Sequence, residues 1–352
     1  MSPLTIGIAM SGGVDSTVAA SLLKDQGFTV RGFFMLLPLA NLIEQQRRVE
    51  EVARRLSIPL TLVDLRQPFT DQIIAAFIND YRGGQTPNPC IQCNQGIKFG
   101  HFAQAMRAAG MDRVATGHYA RVERVGGAPV LARGVDRVKD QSYFLARLCP
   151  AQLEAVIFPL GDWTKAQVYQ RAQSLGFQFR GEESQDVCFL SQGLAPFLSQ
   201  NGVEERIGPI HALDNTPLGE HRGVWNYTIG QRRGLGLPDA TPWYVVGIDG
   251  PGNRVIVGKH SDLFQSVCMV QDLHWTPAPP PWPWQGLVQL RSRQSPALAE
   301  LSPAGPDRWQ LRFASCQRAI TPGQYAVFYQ EDRVVGSARI SLPASITGAL
   351  AP

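Results

Sequence analysis

Ser11-Gly12-Gly13-Val14-Asp15-Ser16 stands between an apolar run at residues 6–10 and a helical pattern at residues 17–24. A strand, a glycine turn and a helix in this order place backbone N–H groups at a helix N-terminus, where the helix dipole favours an anion. The adjacent glycines let the backbone turn sharply and approach a ligand closely. Because the hydroxyl groups of Ser11 and Ser16 add further hydrogen-bonding groups, the stretch predicts a site for the pyrophosphate of a nucleotide.

Asp15 places a negative charge inside this predicted anion site. A carboxylate repels phosphate oxygens unless a cation lies between them, so we predict that Asp15 meets a nucleotide-bound Mg²⁺. No G-x-x-x-x-G-K-[ST] sequence occurs in the chain, which argues against the P-loop of kinases and GTPases. The alternative interpretation is a glycine-rich turn that binds nothing.

The length, charge and cysteine content of the chain limit its organisation and partners. Its 352 residues are enough for two or three domains of roughly 100–200 residues each. The net charge is only +4 and no basic block is present, so an RNA site must be a local patch. No apolar run approaches the ~18 residues of a membrane span, and no secretory leader pattern is visible. We therefore expect a cytoplasmic protein with no membrane partner.

The order of strand and helix patterns predicts three domains. Up to about residue 175, β-type runs alternate with helical segments, which is typical of a parallel sheet with crossover helices. Short β-rich runs separated by Gly and Pro follow, and then alternating runs spaced as in a small antiparallel barrel. We predict an α/β catalytic domain over residues 1–200, a small β-rich domain over 201–265 and a C-terminal β-barrel over 266–352. The predicted strands lie at 29–36, 60–64, 113–116, 243–249, 254–258, 286–291, 308–313, 325–329 and 333–340, and the predicted helices at 17–24, 69–81, 99–109 and 165–175.

Ligands of parallel α/β sheets bind beyond the carboxyl ends of the strands. The loop at residues 11–16, Met35 near the end of its strand and Gly117 after another strand are therefore expected around one cleft.

The cysteines suggest a reaction at this cleft. Cys90 and Cys93 stand three residues apart in a proline-stiffened segment, and we expect Asn94 to cap a following helix. A helix start lowers a thiol pKa, so Cys93 is predicted to be a reactive thiolate. Cys188 is a second candidate. Two thiols and ATP suggest that a persulfide sulfur attacks an adenylated carbonyl carbon and that a second thiolate then releases it, which requires Cys93 and Cys188 to come within disulfide distance.

The chain resembles the tRNA-specific 2-thiouridylases, bacterial enzymes that place sulfur on C2 of the wobble uridine of tRNA. Its first loop resembles the PP-loop of enzymes that split ATP to AMP and pyrophosphate, a loop also found in lysidine, GMP and NAD synthetases. The resemblance runs nearly end to end. Its motifs lie at residues 11–16, 86–94, 115–121, 139–145, 184–189, 227–236, 243–246 and 322–324.

This resemblance implies a role for each matching residue. It implies Cys93 as the nucleophile and Cys188 as the persulfide carrier. ATP binding is implied for Ala9, Met10, Ser11, Gly12, Gly13, Val14, Asp15, Ser16, Met35 and Gly117. Contact with the target base is implied for Asn88, Pro89 and Cys90, and contact with the tRNA for His118, Lys139, Asp140, Gln141, Arg291, Ser292 and Gln324. The implied partners are the anticodon arm of tRNA and a sulfur donor protein, either a cysteine desulfurase or a persulfide relay protein.

Cys90 stands where many relatives have an Asp, and it keeps other interpretations open. Cys90, Cys93 and Cys188 could hold a [4Fe–4S] cluster with one open iron that delivers hydrosulfide to the adenylated base. A structural zinc site would need a fourth ligand, and no His stands at ligand spacing beside the cysteine pair. A different class of protein is a metal-stabilised tRNA-binding module with a degenerate ATP site.

Overall fold

The computed structural model describes residues 3–179 and 187–341. Part of the motif predicted at 184–189, its first three residues, lies outside these ranges. No helix within them is both long and apolar enough to cross a membrane.

The described strands form three sheets. The strands are β1 (Thr5–Ala9), β2 (Thr29–Leu36), β3 (Leu60–Asp64), β4 (Arg113–Ala115), β5 (Ala120–Val125), β6 (Ala128–Arg133), β7 (Val156–Ile157), β8 (Gly208–Ala212), β9 (Pro217–His221), β10 (Tyr244–Asp249), β11 (Arg254–Gly258), β12 (Phe264–Trp275), β13 (Trp284–Gln289), β14 (Ala297–Gly305), β15 (Arg308–Arg318), β16 (Tyr325–Gln330) and β17 (Arg333–Ile340).

Helices fill the connections of the first domain and are rare afterwards. The α-helices are α1 (Val14–Asp25), α2 (Leu42–Arg55), α3 (Arg66–Phe69), α4 (Ala75–Arg82), α5 (Pro89–Gln92), α6 (Ala103–Ala108), α7 (Pro150–Ala155), α8 (Lys165–Ser174) and α9 (Leu194–Gln200). Segments of π-helix join α3 to α4 (Thr70–Ile74) and α5 to α6 (Cys93–Phe102), and short 3₁₀ turns lie at Ser142–Leu145, Val224–Asn226 and His260–Leu263.

The first domain is a parallel sheet with the strand order β3-β2-β1-β4-β7. Ile6 and Ile8 of β1 are completely buried on one face, and a Cβ atom on Gly7 would lie 2.9 Å from Met111 on the other, as expected for a central strand covered on both faces. The chain moves from β1 outward to β3 and then returns to β4 on the other side of β1. This reversal makes the carboxyl ends of β1 and β4 a topological switch point, where ligands of such sheets bind.

The helix that carries Cys93 begins earlier than predicted. It starts at Pro89, which occupies its first turn as proline favours, and Asn88 is its N-cap residue. Asn94, expected as the cap, lies inside the helix, and its Nδ2 donates a hydrogen bond of 2.9 Å to the carbonyl of Phe144. The cap prediction for Asn94 is wrong because Pro89 had already set the helical backbone five residues earlier.

The two smaller domains are built from β-structure. The central sheet has the order β10-β11-β8-β9, and its core includes the fully buried Ile210, Val245 and Val255. The last domain is an antiparallel barrel of six strands, β12-β15-β14-β13-β16-β17, closed because β12 also pairs with β17. The predicted fold class, an α/β domain followed by a small β-rich domain and a C-terminal β-barrel, is confirmed.

A hairpin of the first domain extends the barrel sheet. Strands β5 and β6 pair with each other, and Ala132 of β6 pairs with Arg333 of β17. Tyr325, Val327 and Tyr329 of the barrel belong to the same buried apolar cluster as Phe33 of the first sheet. The barrel is therefore packed against the domain that carries the cleft.

Candidate active site

The two edges of the cleft approach each other at Gly117, as the sequence predicts. A Cβ atom on Gly117 would lie 2.9 Å from the carbonyl carbon of Asp15 and 3.0 Å from the amide nitrogen of Ser16. Only glycine lets the segment after β4 come so close to the start of α1. Met35 lies two residues beyond Phe33, the β2 partner of Ala9, and is partly buried against the first-domain core.

The loop between β1 and α1 is held in shape by its own hydrogen bonds. The amide of Ser11 donates to Ser16 Oγ over 3.1 Å, and the hydroxyl groups of Ser11 and Ser16 lie 3.2 Å apart. Gly12 has φ +75°, a conformation that favours glycine. Met10 and Val14 are buried, so their backbone atoms are the parts that can face a nucleotide. The loop is thus preorganised for an anion at the N-terminus of α1.

Asp15 is held by two residues far away in sequence. Lys165 Nζ lies 2.8 Å from both carboxylate oxygens, and the Tyr119 hydroxyl donates a hydrogen bond of 2.7 Å to Oδ1. Lys165 begins α8 and its side chain is only 12% exposed, so this ion pair is partly shielded from water. Lys165 and Tyr119 were not predicted as site residues, because nothing in the sequence marks a partner of Asp15 150 residues along the chain.

The three predicted thiols lie close enough for their charges to affect one another, and we refer to them as the thiol end of the cleft. Cys93 is buried, whereas Cys90 and Cys188 are exposed, and all three are free thiols. Phe189 anchors the segment with Cys188, because its ring packs at 5.0 Å from that of Phe77 and 5.8 Å from that of Phe69.

The predicted acidic thiol at Cys93 is wrong for this structure. Burial, with smaller contributions from the neighbouring thiols Cys188 and Cys90, raises the pKa of Cys93 to about 12. The pKa values of Cys90 and Cys188 are also raised, mainly because nearby protein atoms partly desolvate these two exposed residues. The pKa-lowering effect of the helix start is outweighed by burial, because Cys93 is the fifth residue of the helix and is only 9% exposed.

Lys98 is the cation that opposes this effect. Its charge lowers the pKa of Cys90, Cys93 and Cys188 alike. The π-helical stretch Cys93–Phe102 explains its position, because i→i+5 hydrogen bonds bring the residue five positions after Cys93 above it. Lys98 was not predicted, since only this unusual helical register places it beside the thiols.

His118 links the two ends of the cleft. Its Nδ1 shares a hydrogen bond of 2.6 Å with Thr116 Oγ1, and its ring packs at 5.9 Å from that of Phe99 and 6.1 Å from that of Phe158. Burial, with a smaller contribution from the charge of Lys98, lowers the pKa of His118 well below its ordinary value. The imidazole is therefore neutral at physiological pH.

Comparisons with known proteins cover almost the whole chain. Residues 4–192 match the family described as tRNA methyl transferase HUP domain, residues 196–259 the tRNA methyl transferase PRC-barrel domain, and residues 265–340 the aminomethyltransferase beta-barrel domain. A protein named tRNA-specific 2-thiouridylase MnmA from Desulfotalea psychrophila is 44% identical, over 94% of this chain and 97% of its own. The protein of the same name from Syntrophotalea carbinolica is 42% identical, over 95% of this chain and 97% of its own.

The chain belongs to the tRNA-specific 2-thiouridylase family.

Several residues that the resemblance assigns to tRNA have partners inside this 2-thiouridylase. Asp140, whose side chain is 5% exposed, accepts hydrogen bonds from the Ser142 hydroxyl at 2.8 Å and the Gly134 amide at 3.0 Å, and pairs with Arg133 at 3.2 Å. Gln141 Oε1 accepts a hydrogen bond of 3.0 Å from the Tyr119 amide. The half-buried Lys139 precedes them in the same turn. These contacts fix the segment beside the Asp15 site.

The barrel residues assigned to tRNA also make internal contacts. Arg291 Nη2 donates to Thr321 Oγ1 over 2.6 Å, and burial and the charge of Arg318 lower the pKa of Arg291. The carbonyl of Ser292 accepts a hydrogen bond of 2.9 Å from Gln289. Gln324 Nε2 donates to the carbonyls of Thr86 at 2.9 Å and Pro87 at 3.2 Å. Gln324 therefore ties the barrel to the segment just before Asn88, Pro89 and Cys90.

The donor groups of this 2-thiouridylase do not form a preassembled metal centre. Within residues 3–179 and 187–341, no three His, Cys, Asp or Glu side chains are grouped so that they could hold a metal ion. Cys90, Cys93 and Cys188 are all described, so their present arrangement does not fit a three-cysteine iron–sulfur site. Asp15 stands alone as a carboxylate in the loop, so Mg²⁺ held there would need phosphate oxygens as its other ligands.

Proposed function

We propose that this protein is an ATP-dependent tRNA 2-thiouridylase, a transferase that replaces O2 of the wobble uridine by sulfur. The observation that carries the proposal is one cleft with two ends, a preformed anion loop at one and three thiols at the other, in a chain that matches 2-thiouridylases over nearly its full length. The proposed domain organisation keeps the cleft in residues 1–200, with residues 201–265 and the barrel at 266–352 placed to hold the anticodon arm.

The ATP end supports an adenylation step. The loop from Ala9 to Ser16, with Met35 and Gly117, would hold ATP, and Asp15 would meet the Mg²⁺ bound to its phosphates. Uridine O2 attacks the α-phosphorus of ATP, a P–O bond forms, and pyrophosphate leaves. Because Lys165 now holds Asp15, arriving Mg²⁺ would compete with its ammonium group, which could then turn towards the phosphates.

The thiol end supports the transfer of sulfur. The terminal sulfur of a Cys188 persulfide attacks C2, the C2–O bond breaks, and AMP leaves. A Cys93 thiolate then attacks Cys188 Sγ, the bond to the transferred sulfur breaks, and its electron pair stays on the sulfur at C2. The products are 2-thiouridine and a Cys93–Cys188 disulfide, which a two-electron reductant must reopen. Lys98 supports this step because its charge favours both thiolates.

The iron–sulfur cluster alternative uses the same three cysteines. A measurement of iron distinguishes it from the persulfide route. The protein is purified without oxygen, its iron and sulfide are quantified, and the same sample is assayed for tRNA thiolation with ATP and either sulfide or a persulfide donor. We expect iron-free protein that thiolates tRNA from the persulfide donor. Stoichiometric iron that is lost in Cys90→Ala, together with turnover from sulfide, would contradict the persulfide route.

The alternative of a tRNA-binding module with a degenerate ATP site is tested by measuring pyrophosphate release. A degenerate ATP site would release none above background, whereas the proposed enzyme releases pyrophosphate only when both ATP and tRNA are present. The assay uses an unmodified tRNA and a transcript of the same length with cytidine at the wobble position. Equal release with both RNAs would contradict adenylation of the wobble uridine. A sulfur donor protein, either a cysteine desulfurase or a relay protein, completes the proposal because Cys188 must receive its sulfur.

A further inference from the structure

Three exposed arginines lie near the junction of the central domain and the barrel. Arg232 and Arg233 belong to the Gln231–Gly236 loop, and Arg318 ends β15; all three are exposed. Within residues 3–179 and 187–341, no carboxylate pairs with any of their guanidinium groups, although most arginines of the first domain have one. We name these three residues the arginine seam.

The seam crosses from one domain to the other at Gly230. This residue has φ +91°, and a Cβ atom on it would lie 3.0 Å from Ala319 Cβ and 3.9 Å from Arg318 Nη1. The amide of Gly230 donates to the Val245 carbonyl over 2.8 Å, which fixes the loop on β10. Arg232 and Arg233 therefore follow within two or three residues of the point where Arg318 meets the central domain.

The seam also lies next to the segment that leads to the thiols. Thr228 Oγ1, two residues before Gly230, lies 3.3 Å from Thr86 Oγ1. The Thr86 amide donates to the Pro322 carbonyl over 3.0 Å, so this residue contacts both smaller domains. Cys90 is four residues beyond Thr86, a distance of at most about 14 Å along the chain.

The charge of Arg318 already lowers the pKa of Arg291, and like charges repel one another unless an anion lies between them. Guanidinium groups present a planar fork that matches phosphate oxygens. Gly234 and Gly236 have positive φ, and the loop carries no side chain at either position that would keep a backbone away.

We propose that the arginine seam binds phosphates of the RNA backbone beside the target uridine. This inference rests on the proposed function and adds a site to it: the cations of Arg232, Arg233 and Arg318 hold the strand at the junction of the central domain and barrel, while the base enters the cleft. The RNA is favoured over an acidic protein because the seam lies beside the segment that leads to Cys90, where the proposed function puts the target base.

The test is the salt dependence of tRNA binding by the full-length protein. Each lost phosphate contact lowers the slope of log Kd against log salt concentration by about 0.7 to 1 and weakens binding about tenfold. We expect the loss of one such contact in Arg318→Gln. The Arg232→Gln/Arg233→Gln double variant should show about twice that change in slope. Arg107→Gln is the matched control, because Arg107 is exposed on α6, which leads into the opposite end of β4. ATP affinity should stay unchanged in all of them.

Three outcomes distinguish the inference from the proposed function. Wild-type slopes in both seam variants, in a protein that still thiolates tRNA, would overturn the seam alone. Failure of the wild-type protein to thiolate any tRNA would overturn the proposed function first. Normal tRNA binding combined with failure to accept sulfur from a cysteine desulfurase would assign the seam to a protein partner instead and overturn its RNA role.

Discussion

The two ends of the cleft are prepared to different degrees. At the ATP end, the backbone and hydroxyl groups of the loop are already hydrogen-bonded in their binding shape, and Lys165 and Tyr119 hold Asp15. At the thiol end, Cys93 is buried with a pKa of about 12, and Cys90 and Cys188 remain free thiols at the surface. The free protein is therefore ready to bind ATP but not to move sulfur.

This difference has a chemical reason. A preorganised anion site costs little in the free protein because its own hydrogen bonds satisfy it, and it binds ATP without rearrangement. A persulfide and a thiolate held ready beside each other would form a disulfide before the base arrived. Keeping Cys93 protonated until tRNA binds protects the carried sulfur, so chemistry at the thiols should depend on the RNA and on pH more than chemistry at the loop.

Removing either reacting sulfur should give the largest effect. We expect Cys93→Ser and Cys188→Ser each to lower thiolation by at least about 1,000-fold, because a serine hydroxyl can neither carry nor release sulfur. ATP binding, measured by calorimetry, should be unchanged. Cys316→Ser is the control because Cys316 is an exposed thiol on β15 of the barrel. Near-full turnover in either active-site variant would contradict the two-thiol reaction.

Replacing the loop carboxylate should impair the ATP end of the cleft and spare tRNA binding, the opposite of the cysteine substitutions. We expect Asp15→Asn to lower tRNA-dependent pyrophosphate release about 100-fold, because a neutral amide holds Mg²⁺ poorly. Its tRNA affinity should stay within twofold of wild type. Asp25→Asn, at the far end of the same helix, removes an exposed carboxylate that pairs with Arg171 and provides the control. Unchanged pyrophosphate release in Asp15→Asn would remove Asp15 from the metal role.

The pH dependence should differ between the two reactions. The pKa of Cys93 is raised to about 12, so its thiolate fraction grows about tenfold for each pH unit between 7 and 9. Alkylation of Cys93 in the free protein, followed by peptide mass spectrometry, should rise with the same slope. His118 stays neutral over this range because its pKa is far below it, and pyrophosphate release should change by less than about threefold. A plateau of Cys93 alkylation above pH 8 would contradict the raised pKa.

Substitution of Lys98 should have the smallest effect. In Lys98→Met the thiols lose the charge that favours their thiolates, so we expect alkylation of Cys188 and Cys93 at pH 8 to slow by about three- to tenfold. Lys98→Arg keeps the charge and should restore most of the rate. If Lys98→Met and Lys98→Arg changed the alkylation rates alike, Lys98 would act through packing rather than through its charge.

Much of the fold could be predicted from local sequence. Strands β2, β3, β11 and β17 have the predicted bounds because each is a short run with a high share of apolar residues. Strands β12 and β14 were missed, since Gln, Asp and Pro interrupt their alternation, and only the closed barrel gives them partners. The hairpin β5–β6 was missed although its Gly126-Gly127 turn is a local signal, whereas its link to β17 joins residues about 200 positions apart and has no local signal.

The candidate site shows the same limit. The loop at residues 11–16 and its meeting with Gly117 could be predicted because a local motif and the direction of parallel strands determine them. The partners of Asp15 could not, because the pairing with Lys165 depends on how α8 packs beside α1. The pKa of Cys93 was predicted in the wrong direction, since sequence shows proximity to a helix start but not the water excluded by tertiary packing.

The most direct test of the account follows the disulfide that sulfur transfer must leave. Protein loaded with persulfide is given one equivalent of tRNA and ATP without reductant, and its peptides are analysed by mass spectrometry alongside the thiouridine content of the RNA. We predict one Cys93–Cys188 disulfide for each 2-thiouridine formed, and none when ATP or tRNA is omitted. Thiouridine formed while Cys93 and Cys188 both remain thiols, or are joined to Cys90 instead, would contradict the account.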